Sequence, residues 1–183
     1  MDEPDEIKQH IESWVVKTVD VPNSKTGGLK TCPFARQALT TNSVGFRWYD
    51  GPDIRGILLE FTKTWSDNLE LLLLASRPEN IDPDELENIC MEASVVLAQH
   101  DLIAMAYHPY YNAPDDEKAM THSKYALVFL QRFTKLQVAS QYLRSAGYYD
   151  TWSKERLEFV VNWRTRYLKY LPPELRAAKK LDR

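Results

Sequence analysis

The chain has 183 residues, of which 44% are hydrophobic and 27% are charged, and its formal net charge is −3. These values are typical of a globular protein large enough to bury a core, and the two cysteines are too few for a disulfide framework. No apolar run approaches the roughly 20 residues of a membrane span, and the acidic N-terminus is unlike a signal peptide. We therefore expect a soluble, cytoplasmic protein with no membrane partner.

Predicted helices and strands alternate along most of the chain. Apolar residues at helical spacing predict helices over residues 4–18, 33–39, 54–65, 83–97, 123–146 and 152–170. The start of the fourth helix is marked by Asp82-Pro83-Asp84-Glu85, which offers a capping aspartate and a proline in the first turn. Apolar or alternating stretches predict strands over residues 44–49, 69–75 and 102–107.

This alternation predicts an α/β fold: a small, mainly parallel sheet of three or four strands, with helices packed on it and further helices at the C-terminus. We expect a single domain, with an α/β core over residues 1–147 and a helical extension over 148–183. The extension is basic, because residues 154–183 carry nine Lys or Arg against four Asp or Glu. A basic end can bind nucleic acid or an acidic protein, but no nucleic-acid motif accompanies it, so we expect a solvated amphipathic helix. The oligomeric state stays open.

The segment Thr31-Cys32-Pro33-Phe34-Ala35-Arg36 predicts a reactive site. Proline is favoured at the first position of a helix, so Cys32 is expected directly before a helix. The unpaired N–H groups and the positive end of the helix dipole would favour the thiolate there. Arg36, one turn later, would add positive charge.

Several polar residues are predicted to meet at one edge of the sheet. Helix starts and the carboxyl ends of parallel strands lie at the same edge, which is where open α/β sheets bind ligands. This convergence requires the three predicted strands to be parallel. The residues placed there are Cys32, Asp50, Arg77, His108, His122 and Ser123.

The segment from His108 to His122 is predicted to be a long polar loop, which in a compact domain is often functional. The alternative interpretation is an ordinary surface loop whose aspartates cap a turn. Beyond it, Tyr125 and Arg132 are seven residues apart and would share one face of the predicted helix. An arginine among aromatic residues needs an anion, which Asp115, Asp116 or a substrate carboxylate or phosphate would supply.

Taken together, Cys32-Pro33-Phe34-Ala35 and His108-Pro109-Tyr110-Tyr111 resemble the motifs of a family of uncharacterised bacterial and plant proteins. That family is catalogued as a domain of unknown function and carries a CPFA segment and a later HPDY-like segment. The resemblance covers about residues 12–135 and implies a site without naming its chemistry. Further residues follow in the family's order, namely Pro114-Asp115-Asp116, Ser123, Tyr125 and Arg132.

The chain departs from the family's pattern at Tyr110, His122 and Lys124. The segment from Cys32 to Arg36 is also similar to the active-site turn of omega-type glutathione transferases. That second resemblance implies a thioredoxin-like fold, in which a strand leads into the cysteine.

The leading hypothesis is a small enzyme of unknown reaction that acts on a small anionic molecule. Cys32 would be the nucleophile or redox centre and His108 the general acid or base. Two alternatives stay open: a non-catalytic binding module with an inert Cys32, and a metal-dependent enzyme that uses the same residues. No cofactor is indicated, and no close metal-ligand spacing is present. The substrate-binding candidates are Arg36, Asp115, Asp116, His122, Ser123, Tyr125 and Arg132.

Overall fold

A computed structural model of the chain describes residues 4–24, 28–51, 53–110 and 123–177. The helices are α1 (Pro4–Trp14), α2 (Ala35–Thr40), α3 (Ile54–Thr64), α4 (Pro83–Leu97), α5 (Phe133–Ser145), α6 (Lys154–Val160) and α7 (Pro173–Ala177). The strands are β1 (Pro22–Asn23), β2 (Leu29–Lys30), β3 (Val44–Trp48), β4 (Leu71–Ser76), β5 (Leu102–Tyr107) and β6 (Ala126–Arg132). A π-helical turn, Val15–Val19, extends α1, and 3₁₀ segments cover Pro78–Asn80, Ala98–His100 and Asn162–Tyr170. Within the described ranges, no helix combines the length and apolar character needed to cross a membrane.

The predicted α/β fold is confirmed, and its sheet is mixed, with one parallel pair of strands, where a mainly parallel sheet was expected. The main sheet has four strands in the order β3-β4-β6-β5, and β1 and β2 form a separate hairpin. β3 and β4 are parallel, and β6 lies antiparallel between β4 and β5. The three strands predicted from the sequence therefore all run in the same direction, as the proposed convergence requires.

The prediction of a helix over residues 123–146 is wrong for the first half of that range. Residues 126–132 form β6, and the helix α5 begins only at Phe133. β6 lies between two neighbours and is buried on both faces, so its apolar run lacks the alternation of a half-exposed strand. The helix predicted over 152–170 is also divided, into α6 and the 3₁₀ segment Asn162–Tyr170.

Aspartates determine where several elements begin. Asp82 caps α4 by accepting hydrogen bonds from the N–H groups of Asp84 and Glu85 at 2.9 and 3.2 Å, as predicted. Asp53 caps α3 in the same way through the N–H of Gly56 at 2.8 Å. Asp101 lies in the left-handed region with φ of 58° and accepts a 2.8 Å hydrogen bond from the N–H of Thr134, so it ties the start of β5 to the start of α5.

The two faces of the sheet are covered by different helices. On one face, which we call the α3/α4 face, both of these helices pack on alternate strand residues such as Leu72, Leu74 and Val128. On the other face, α1 and its π-helical turn pack on Leu73 and Leu127. The C-terminal helices bury Phe133 against Ile103 and add an aromatic cluster, made of Tyr148, Tyr149 and Trp152.

Candidate functional site

Cys32 lies in an apolar environment rather than at a helix start. α2 begins at Ala35, three residues after the cysteine, and its capping residue Phe34 provides no side-chain hydrogen bond. The half-buried Cys32 packs against the cluster around Trp14 and Val19, and its N–H donates to the carbonyl of Val19 at 3.3 Å. The expected stabilisation of the thiolate by the helix start is outweighed: the N–H groups of Phe34 and Ala35 hydrogen-bond the thiol, but burial raises its pKa more than they lower it.

The electrostatic surroundings of Cys32 favour the neutral thiol. Burial is the largest influence and raises its pKa above the ordinary value. The N–H groups of Phe34 and Ala35 lower the pKa in part, and the negative charge of Asp20 raises it. Arg36, which was expected to add positive charge at the thiol, pairs instead with Asp20 at 2.5 Å. Lys30 donates to the other oxygen of the same carboxylate at 2.8 Å. Arg36 thus forms an ion pair within the protein and does not act on the thiol as expected.

His108 is fully engaged in hydrogen bonds. Its ring is buried, with Nε2 at 3.0 Å from the carbonyl of Pro78 and 3.1 Å from that of Ile81. The N–H of Tyr110 donates to Nδ1 at 3.2 Å. Nδ1 is thus the acceptor and Nε2 carries the proton. Both ring nitrogens therefore take part in joining the end of β5 to Pro78 and Ile81.

Cys32 and His108 contact different sides of the sheet. Cys32 packs with Tyr107 and the rest of the cluster on the α1 side. His108 follows Tyr107 in the strand direction and binds the carbonyl of Ile81, which packs against the α3/α4 face. Because successive residues of a strand point to opposite faces, Cys32 and His108 pack on opposite sides of the sheet, although both border one cleft that passes the edge strand β5.

Two further candidates precede β6 and are buried. The hydroxyl oxygen of Ser123 accepts a hydrogen bond from the N–H of Tyr125 at 3.2 Å, which is a local turn. The ring of Tyr125 contacts the rings of His10 and Trp48, at centroid distances of 5.3 and 6.1 Å. Because β6 is antiparallel to β5, Ser123 and Tyr125 lie at the same sheet edge as His108.

Arg132 lies at the opposite edge. Tyr125 and Arg132 do not share a helix face, since they flank a strand about 23 Å long. The anion that Arg132 needs is Asp67, whose carboxylate accepts from its guanidinium at 2.5 Å, and the guanidinium also lies 5.9 Å from the ring of Trp65. Arg132 therefore makes an internal salt bridge.

Three predicted site residues, Asp115, Asp116 and His122, lie outside the described residues. Among the residues that are described, no group of three or more His, Cys, Asp or Glu side chains could hold a metal ion. Cys90 is buried in the α3/α4 core, where burial strongly raises its pKa.

A large cleft lies on the face of the sheet opposite α3 and α4. Its volume is about 1670 Å³. Strand residues form its floor, among them Leu73, Met105 and Phe129. One wall, which we call the N-terminal wall, includes Val19, Cys32 and Leu39. The other, the C-terminal wall, includes Leu143, Tyr148 and Trp152.

The cleft extends beyond the sheet face and its walls are connected. It continues past the edge strand β5, where Glu87, Met91 and His108 border it. At the other end the hydroxyl of Tyr148 contacts the carbonyls of Lys30 and Thr31, the latter at 2.8 Å. This contact joins the C-terminal wall to the N-terminal wall and closes one end of the cleft.

The C-terminal segments contain two buried arginines that the sequence analysis did not select, and one of them, Arg164, borders the cleft. Arg156 lies 3.6 Å over the ring of Trp152, and Arg164 donates to the hydroxyl of Ser140 and to the carbonyl of Val160. The sequence did contain a signal for the stacking of Arg156 on Trp152, because the two residues are four apart, as neighbours on a helix surface are. Net charge alone suggested a solvated helix for this segment.

Comparison of the chain with protein-family models, with curated proteins and with solved structures gives no match. The resemblance to the family with CPFA and HPDY-like segments therefore stays a prediction. The thioredoxin-like alternative lacks its strand: Cys32 follows the two-residue strand β2 of the hairpin, which is not part of the four-stranded sheet.

Proposed function

We propose that this protein is a binding module that holds a small molecule with a large apolar part in the cleft. The observation that supports this proposal is the cavity of about 1670 Å³ above the sheet. Ligand sites for small molecules typically have volumes of about 300–1,000 Å³ and mostly apolar walls. A cleft of this size suits an elongated ligand, and the side chains named on its floor and walls are mainly aliphatic and aromatic.

Catalysis by Cys32 and His108 is less well supported than binding. A nucleophilic role needs a thiolate, whereas burial raises the pKa of Cys32. An acid–base role needs a ring nitrogen within reach of the substrate, whereas both nitrogens of His108 have backbone partners. In the binding module, Cys32 contributes apolar surface and His108 fixes the end of β5 to the carbonyls of Pro78 and Ile81.

A neutral fluorescent probe tests the proposal. N-phenyl-1-naphthylamine carries no charge and fluoresces strongly in apolar surroundings, so its titration reports apolar binding alone. We expect saturable binding with one probe per chain and displacement by dodecan-1-ol. A linear, non-saturating signal would contradict the proposal.

Two neighbouring residues of α5 supply a matched pair of variants. Ala139 borders the cleft, and Val138 points to solvent with 59% of its surface exposed. We expect Ala139→Trp to fill the cleft and weaken probe binding by roughly tenfold or more. Val138→Trp adds the same side chain outside the cleft and should leave the affinity unchanged. Equal affinities in the two variants would place the probe elsewhere.

A further inference from the structure

Arg164 is a buried cation that has no counter-ion among the residues the structure describes. The residue is only 4% exposed, and it borders the cleft from the 3₁₀ segment Asn162–Tyr170. Its Nη2 donates to the hydroxyl of Ser140 and its Nη1 to the carbonyl of Val160 at 3.3 Å. Its Nε has no acceptor, and none of the carboxylates in the described ranges forms an ion pair with it.

The charge on Arg164 persists despite its burial. Burial lowers its pKa to about 10, and the nearby charge of Arg144 acts in the same direction. At neutral pH the guanidinium is therefore still a cation. An isolated charge in an apolar environment is strongly destabilising unless an anion pairs with it.

A second N–H donor on the same wall also lacks a partner. Nε1 of Trp152 is buried and has no acceptor among the described residues, and this ring also borders the cleft. Nearly all buried polar groups in proteins find a hydrogen-bond partner, so each exception calls for an ion, a water molecule or a ligand.

We infer that the ligand of the cleft is an amphipathic anion whose negatively charged oxygens bind at Arg164 while its apolar body extends over Phe129 and Met105. The inference rests on the proposed function and names its ligand class, an organic carboxylate with a long aliphatic chain. Glu155 and Glu158 also border the cleft and are exposed.

Calorimetric titration with two probes of equal chain length tests this assignment. Dodecanoate and dodecan-1-ol, both below their aggregation concentrations, differ in the charge of one end. We expect the protein to bind dodecanoate about tenfold or more tightly than the alcohol, since hydrogen bonds to charged groups are strong. Equal affinities would overturn the anion assignment and leave the binding module intact. Binding of neither probe would overturn both.

Variants locate the anion. Arg164→Met should remove the preference for dodecanoate over dodecan-1-ol, and Arg164→Lys should retain part of it. Arg176→Met removes an exposed arginine that does not border the cleft, and it should keep the full preference. A preference that survives Arg164→Met would place the anion elsewhere. Should that variant fail to fold, the comparison of the two probes on the unchanged protein still decides.

Discussion

Cys32 combines an accessible cleft position with surroundings that keep its thiol neutral. Burial is the main cause of its raised pKa and outweighs the hydrogen bonds from the N–H groups of Phe34 and Ala35, which lower it. Since only the thiolate reacts, we expect alkylation by iodoacetamide to be slower at pH 7 than that of glutathione. The rate should rise only as the pH passes above about 8.5, the value for a free thiol. Peptide mapping separates Cys32 from Cys90.

A labelling rate at Cys32 that is already maximal below pH 7 would contradict this account. Such a rate would demonstrate a stabilised thiolate and return the enzymatic hypothesis to first place. Addition of dodecan-1-ol should slow the labelling further, because Cys32 borders the cleft.

We expect His108 to stabilise the fold. His108→Ala leaves the carbonyls of Pro78 and Ile81 and the N–H of Tyr110 without their partner. Unsatisfied buried groups cost about 1–3 kcal/mol each, so we expect the free energy of unfolding to fall by about 3 kcal/mol in urea titrations. His100→Ala changes an exposed histidine and should shift it by less than about 0.5 kcal/mol. Equal stability of the two variants would show that His108 is not structural.

Among the elements, the hairpin and α2 are held to the end of α1 by one carboxylate. Asp20 follows the π-helical turn and pairs with Lys30 of β2 and Arg36 of α2. The hydrogen bond from Lys30 is the largest cause that lowers the pKa of Asp20, and Arg36 acts in the same direction. A lowered folded-state pKa stabilises the fold above the unfolded value, which is about 3.9, and this contribution disappears as the pH falls below it.

We therefore expect Asp20→Asn to be less stable than the unchanged protein at pH 7. The difference in melting temperature should stay constant down to about pH 5 and shrink below about pH 4. Asp150→Asn, at an exposed site without an ion pair in the described part of the chain, is the control. A difference that persists unchanged at pH 3 would show that the ion pairs do not carry the effect.

A comparison of the predicted with the observed helices and strands shows which of them the sequence alone predicts. Caps and alternation predict α3, α4 and the strands β3, β4 and β5, because these signals are local and Asp82 marks its helix in the sequence itself. β6 escapes prediction because a strand buried on both faces has the composition of a buried helix. Because of that error, Arg132 was expected near Tyr125, whereas it lies at the opposite edge of the sheet. Its partner there, Asp67, could therefore not be predicted.

At the scale of the whole molecule, the cleft results from two groups of helices packing on one sheet face without meeting. α1 with α2 forms one side, α5 with the C-terminal segments forms the other, and Tyr148 connects them. No local pattern encodes such a gap, because it depends on how distant elements pack. For the same reason the sequence indicated Cys32 and His108 but not that they pack on opposite sides of the sheet, and it did not reveal the burial of Arg164.

Amide chemical-shift mapping with dodecan-1-ol tests the central claim most directly, because it reports where an apolar ligand lies. The account predicts shifts at residues that border the cleft, including Leu73, Phe129 and Tyr148, and none across the sheet at Leu86 of α4. Shifts centred on the α3/α4 face, or scattered over the surface, would contradict a binding module built around this cleft.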